Sequence, residues 1–172
     1  MNERCVTYDT ASDQETIHLG QELGKVLKEG DVVALAGDLG SGKTWFTKGL
    51  ALGLGVSPDT IITSPSFALI NEYEGRHTLF HLDVYRLDSL AEFLSAGLEE
   101  YFYRDGVVVM EWADRWPEIL PEWKLKVRFD IIEYLVRKIV FSGEHPRTVE
   151  ILKDLTRVTR DADNQTKRTS DI

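Results

Sequence analysis

The sequence holds a single cysteine, Cys5, among 172 residues. No intrachain disulfide can form from one thiol, a cysteine-based zinc site is excluded, and a reducing compartment suits the chain. Long apolar runs are also missing: no uninterrupted stretch approaches the roughly 20 residues that a bilayer-crossing helix requires. The opening MNERCVTYD is charged and polar where a secretory signal would carry an apolar core, so the expectation is a cytoplasmic protein without a membrane partner. Positive charge is in deficit as well. Lys and Arg total 20 against 29 Asp and Glu, a formal net charge of -9. That balance argues against a chain that grips nucleic acid by itself across a broad basic face. From Ser142 onward six basic residues meet six acidic ones, so the whole excess of negative charge lies in Met1 to Phe141. If RNA is involved, a partner supplies most of the contact.

What is present is centred on Gly37 to Thr44, GDLGSGKT, which matches the phosphate-binding pattern GxxxxGKT at every fixed position. The apolar run DVVALAG precedes it and reads as a strand; Phe46, Leu50 and Leu54 follow at helical spacing. Strand, glycine loop and helix are the context in which inward-pointing amides and a helix N-terminus hold phosphate. Gly37, Gly40 and Gly42 let the backbone curl, and Asp38, Leu39 and Ser41 complete the loop. Lys43 would reach the β- and γ-phosphates of ATP, and the Thr44 hydroxyl would take one Mg2+ position.

Ahead of the loop, Arg4 to Tyr8 reads as a short strand, and SDQE at Ser12 to Glu15 has capping-box spacing for a helix striped by Leu19, Leu23, Val26 and Leu27. Ser12 and Thr16 serve as cap and helix surface, or wall the base side of a nucleotide pocket. Beyond it, TSPSF (Thr63 to Phe67) is a hydroxyl-bearing turn or a phosphate-sensing switch segment. Phe67 to Tyr73 and Thr78 to Val84 are expected as a hairpin around Glu74-Gly75-Arg76. Asp83 ends its second strand, where it could hold magnesium-bound water or orient the attacking water. His81 shares its face but reads as a structural histidine.

Asp88 is expected to cap a helix through Ala96. GVVVME (Gly106 to Glu111) then has the continuous apolar character of a buried parallel strand ending in a carboxylate, at the strand end where ligands gather. Glu111 is thus the candidate magnesium carboxylate, and the adjacent Trp112 a cover for nucleotide. Lys124 to Ile131 and Val136 to Phe141 alternate as an antiparallel pair, with Arg137 a candidate phosphate or base contact. A helix is expected over Thr148 to Arg157, with fraying or disorder from Asp161 onward. The expected fold is α/β: a single domain of the P-loop NTPase kind over residues 1–141, followed by a C-terminal helix and tail over 142–172. Its mixed sheet has parallel core strands, antiparallel hairpins and helices on both faces.

Taken in order, GDLGSGKT, TSPSF, HLDVYRL and VVVMEW resemble the TsaE family of small bacterial P-loop proteins, from about Thr16 to Phe141. The resemblance implies ATP hydrolysis in the N6-threonylcarbamoyl modification of the adenosine beside the anticodon of tRNA, together with the proteins TsaD and TsaB. It implies the P-loop roles for Lys43 and Thr44, the second magnesium ligand in Glu111 and a catalytically important aspartate in Asp83. Ser66 and Trp45 depart from the family pattern where threonines are common, and neither removes a group the chemistry requires. Against this reading stand a small-molecule kinase, for which no arginine-rich lid is visible, and a nucleotide-gated binding module, for which two strand-end carboxylates would be superfluous. No arginine finger is evident, so turnover alone should be slow. The charge balance predicts that labelled tRNA titrated against this chain alone at physiological salt shows little binding, any RNA contact passing through TsaD and TsaB. Tight partner-free binding would overturn that inference.

Overall fold

The two apolar runs DVVALAG and GVVVME become neighbours at the centre of one sheet. The computed structural model describes residues 2–170, with side chains through residue 165. Its strands are β1 (Arg4–Thr10), β2 (Val32–Gly37), β3 (Ile70–Tyr73), β4 (Leu79–Asp83), β5 (Val107–Glu111), β6 (Leu125–Ile131) and β7 (Arg137–Gly143), in spatial order β1-β7-β6-β2-β5-β4-β3. The middle strands β6, β2, β5 and β4 run parallel; β7 and β1 add antiparallel on one side and β3 on the other. The α/β reading with parallel core strands and antiparallel hairpins is therefore what the chain builds.

Side-chain alternation splits the central strands between two cores. Val33 and Leu35 of β2 and Val107 and Val109 of β5 face one side, under α1 (Asp13–Val26), α2 (Lys43–Gly53) and α4 (Pro146–Ser170). Val32, Ala34, Val108 and Met110 face the other, beneath the short α3 (Leu90–Ser95) and the aromatic turns carrying Phe102, Trp112 and Trp116. Helices thus lie on both faces, three long ones against one short one.

Local chemistry sets the boundaries. The Ser12 hydroxyl accepts the Glu15 N–H at 3.1 Å, and the Glu15 carboxylate accepts the Ala11 N–H at 2.7 Å, which caps α1 as its SDQE spacing predicts. The expected cap at Asp88 shifts by one residue. Ser89 is the N-cap of α3, and Asp88 instead donates its N–H to Glu92, because only the serine stands three residues before that glutamate. The hairpin strand expected from Phe67 begins only at Ile70, since Leu69 turns at φ 67° and donates to the Pro65 carbonyl. At the other end α4 outlasts its apolar stripe: where fraying or disorder is expected from Asp161, the helix continues to Ser170, and the last two expected tail residues lie outside the described residues. Once a docked segment nucleates a helix, each added residue gains a hydrogen bond at modest cost. Ile151, Leu152 and Leu155 are the docked part and belong to the first core. Arg147 ties the start of α4 to the sheet by a fork onto Asp31, at 2.8 and 2.6 Å. Among the described residues no helix is long and apolar enough to cross a membrane.

The helices α1 and α2 meet backbone to backbone. A methyl group at Gly20 or Gly24 would overlap the carbonyls of Phe46 or Leu50, and one at Gly49 or Gly53 those of Ile17 or Gln21. Four glycines at four-residue spacing on two helices therefore let the helix that begins at the P-loop lie directly on α1. Gly49→Ala should cost about 3 kcal/mol, since the clash is with backbone that no rotamer change relieves, and should lower the Tm by roughly 6–12 °C. Thermal unfolding checks this; a wild-type Tm would mean that the helices do not touch there.

Candidate nucleotide-binding site

β2 ends at Gly37, α2 begins at Lys43, and the residues between them form an open crook. Gly40 (φ 76°) and Gly42 (φ 104°) take the left-handed conformation that lets the loop close on itself. Gly42 is the N-cap of α2 and offers no side chain, so among the described residues the first turn has no side-chain cap. Helix amides left open at a positive dipole end form an anion site. The Ser41 hydroxyl, fully buried inside the loop, also has no hydrogen-bond partner among the described residues.

Lys43 is folded back over this crook. Its ammonium donates to the carbonyls of Gly37 at 2.6 Å and Asp38 at 3.0 Å and stands 4.0 Å above the Trp112 ring. Burial pushes its pKa below the ordinary lysine value, while Glu111, Asp83, Asp114 and Asp38 pull it back up. Two backbone carbonyls thus hold this cation in place.

The register of the parallel strands supplies the carboxylates. Leu35 pairs with Glu111 across β2 and β5, and Asp83 pairs with Glu111 across β4 and β5. Both acids thus emerge side by side at the carboxyl ends of parallel strands, where α/β sheets hold ligands. Each is oriented by its own donors. Glu111 accepts the Thr44 hydroxyl at 3.2 Å and lies 2.8 Å from His81 Nε2. Asp83 accepts the Ser64 hydroxyl and, at 2.9 Å, the Tyr85 N–H. A cavity of about 390 Å³ opens over them, lined by Leu39 to Trp45, Ser64, Ser66, Asp83, Tyr85, Arg86, Glu111 and Trp112. Gly37 and Asp38 line a neighbouring cavity on the far side of Trp112, with Asp114 and Arg128.

Thr44 and Glu111 fit a magnesium ion in donor chemistry: hydroxyl and carboxylate oxygens are hard ligands, and such an ion takes its remaining oxygens from phosphates and water. Among the described residues no group of three or more His, Cys, Asp or Glu is placed to hold a metal alone.

Besides Gly37 and Asp38, three residues offered by the sequence as nucleotide contacts, Ser12, Thr16 and Arg137, stand apart from the cavity. Ser12 is occupied as the α1 cap, and the Thr16 hydroxyl lies 2.9 Å from that of Thr10 while its methyl group packs beneath Gly42. Arg137 is placed as a buttress instead of a ligand contact. Its guanidinium donates to the carbonyls of Ser41 (3.1 Å) and Gly40 (3.2 Å) on the back of the loop, and to Glu133, Tyr134 and Val136 in its own hairpin. Conversely, sequence reasoning treated His81 as structural and passed over Tyr85 and Arg86. The period-two face shared by His81 and Asp83 was the available signal, but the contact with Glu111 depends on strand register.

The family model described as "Threonylcarbamoyl adenosine biosynthesis protein TsaE" matches residues 10–139. The chain belongs to the TsaE family. It is 46% identical over 129 residues to the tRNA threonylcarbamoyladenosine biosynthesis protein TsaE of Treponema pallidum, covering 75% of this chain and 92% of that one. It is 40% identical over 149 residues to the TsaE protein of Bacillus subtilis, covering 86% and 92% respectively. The crystal structure of Bacillus subtilis YdiB superposes with a TM-score of 0.80 at 34% identity, covering 92% of this chain and 99% of that one. The segments quoted for the family in the sequence, GDLGSGKT, TSPSF, HLDVYRL and VVVMEW, are those that surround the cavity in this TsaE-family chain.

Arg137→Ala would leave the Gly40 and Ser41 carbonyls without their buttress. Amide hydrogen exchange in residues 40–43 and 133–136 should then quicken roughly tenfold, the equivalent of about 1.4 kcal/mol of lost local stability. Unchanged exchange in the loop would mean that the arginine holds only its own hairpin.

Proposed function

We propose that this chain is a magnesium-dependent ATPase serving the N6-threonylcarbamoylation of the adenosine beside the anticodon in tRNA. In this reading it works in the cytoplasm beside the TsaD–TsaB complex, through which any contact with RNA passes. Family membership supports the pathway. One observation carries the chemistry: a phosphate loop with uncapped amides opens onto two strand-end carboxylates, one bonded to the P-loop threonine and the other apart from it.

Loop amides and Lys43 neutralise the β- and γ-phosphates after the ammonium leaves the Gly37 and Asp38 carbonyls. Thr44 and Glu111 would hold Mg2+, which when bound would draw charge from the phosphate oxygens. Asp83, kept in place by Ser64 and the Tyr85 N–H, orients a water on the γ-phosphorus and accepts its proton. The new P–O bond forms as the bond to the β–γ bridging oxygen breaks, and ADP leaves with that electron pair. Positioning and charge stabilisation provide nearly all of such catalysis. Trp112, under Lys43 and beside Tyr85 at 4.9 Å between ring centroids, walls the phosphates from solvent.

The two carboxylates are separable by mutation. Asp83→Asn should bind Mg-ATP nearly as the wild type does and lose on the order of 10²-fold in phosphate release, the scale of a positioned acid–base group. Glu111→Ala should instead weaken the magnesium dependence of nucleotide binding. Nucleotide titrations at several magnesium concentrations, with phosphate release measured alongside, check both; equal loss of binding in the two variants would refute the division. Full partner-supporting function in an Asp83→Asn chain that releases no phosphate would favour the nucleotide-gated binding module.

A further inference from the structure

The segment that follows Asp83 alternates between core and cavity. Val84 and Leu87 are buried in the second core, while Tyr85 and Arg86 project at the cavity mouth. The backbone here is pinned from outside: Arg115 donates to the carbonyls of Val84 at 3.0 Å and Tyr85 at 2.9 Å, on the two residues just before Arg86. Arg86 itself carries a guanidinium with no hydrogen-bond or ion-pair partner among the described residues. The guanidinium stacks on the Phe67 ring, 3.8 Å from guanidinium carbon to centroid. Phe67 is 80% exposed and belongs to the segment whose Ser64 hydroxyl donates to Asp83.

Three facts make that state unusual. The chain is strongly acidic, so an arginine at its surface has carboxylates to choose from. The two carboxylates of the same cavity, Asp83 and Glu111, are already engaged by other donors. The neighbouring Arg115 and Arg137 are committed to backbone carbonyls. Arg86 alone offers an uncommitted planar fork of N–H donors at a phosphate cavity, parked on an aromatic face that holds a cation without neutralising it.

We propose that Arg86 is a catalytic arginine supplied in cis, which leaves the Phe67 ring to bind the γ-phosphoryl oxygens. The inference rests on the ATPase reading above and replaces the expectation that no arginine finger is present. As water bonds to the γ-phosphorus and the bond to the bridging oxygen breaks, the electron pair departs with ADP. The water proton goes to Asp83, and Arg86 stabilises the charge spread over the phosphoryl oxygens in flight. ADP, lacking that group, gains nothing from Arg86.

The test uses the full chain with Arg86→Gln and Arg86→Lys, which at an exposed position leave the fold intact, as thermal unfolding verifies. Dissociation constants for ADP, ATP and ADP with aluminium fluoride, a mimic of the phosphoryl in flight, are measured in excess magnesium, together with single-turnover phosphate release. Arg86→Gln should bind ADP as the wild type does, weaken ATP several-fold and the aluminium fluoride complex by about 10²-fold, and slow phosphate release by about 10³-fold, the lower range for such arginines. Lysine should restore only part, having the charge without the fork. Wild-type affinity of Arg86→Gln for ATP and for the aluminium fluoride complex overturns the proposal, whatever its turnover. Equal weakening of all three ligands overturns it too, since a γ-phosphate contact cannot act on ADP. If the wild type released no phosphate, the ATPase reading would fail, while the ATP-over-ADP preference lost in Arg86→Gln would still decide whether this arginine touches the γ-phosphate.

Discussion

The contact of α1 with α2 through four glycines is the constraint from which the site geometry follows. Carbonyl oxygens of each helix fill the space where methyl groups of the other would stand, so the separation of the helices is set by backbone alone. β2, between β5 and β6, is fixed equally firmly by hydrogen bonds on both sides. A loop of five residues, 38–42, spans two immovable ends. Thr16 supports Gly42 from below and Arg137 holds the Gly40 and Ser41 carbonyls from behind. The crook is consequently held open by the body of the protein, and an anion entering it meets amides that are already aligned.

Parallel pairing then brings the chemistry to that crook. Two carboxylates at adjacent strand ends repel one another unless each has donors of its own, and the chain provides them from different sources. Thr44 and His81 serve Glu111; Ser64 and the Tyr85 amide serve Asp83. A buried polar network of this kind specifies its geometry only when its members are matched. It also separates the two acids in behaviour: one is tied to the phosphate-loop helix, the other to a segment from the opposite rim. Movement of that segment therefore reaches Asp83 without disturbing Glu111.

The sequence made the phosphate loop, both carboxylates and the α/β architecture readable because each depends on local facts: a glycine spacing, a strand that ends in an acid, an apolar run without polar interruption. What it hid depends on elements meeting. His81 against Glu111 requires the offset between β4 and β5, and Arg137 as a buttress requires β7 to lie beside the loop. The glycines Gly20, Gly24, Gly49 and Gly53 read singly as weak points of helices, and only the packed pair gives them a purpose. The continuation of α4 to Ser170 escaped a reading that looked for apolar periodicity, because a helix already docked through Leu155 elongates without one. At Arg86 the absence of an arginine-rich insertion hid an arginine standing in the strand-exit motif itself.

The placement of β2 also affects how this chain is made. Its hydrogen-bonding partners on either side, β5 and β6, end at Glu111 and Ile131, so a nascent chain displays β2 with both edges bare until residue 111 is added and with one edge bare until residue 131. At about 5–20 residues per second that interval lasts on the order of 5–20 s. Throughout it an apolar strand, VVALAG, is exposed to whatever other edges it meets. The helical pair α1 and α2, whose contacts are all complete by Gly53, can form early and shelter one face of that strand. The glycines that shape the finished site thus also serve the unfinished chain, by giving this apolar strand a cover before its neighbours in the sheet have been synthesised.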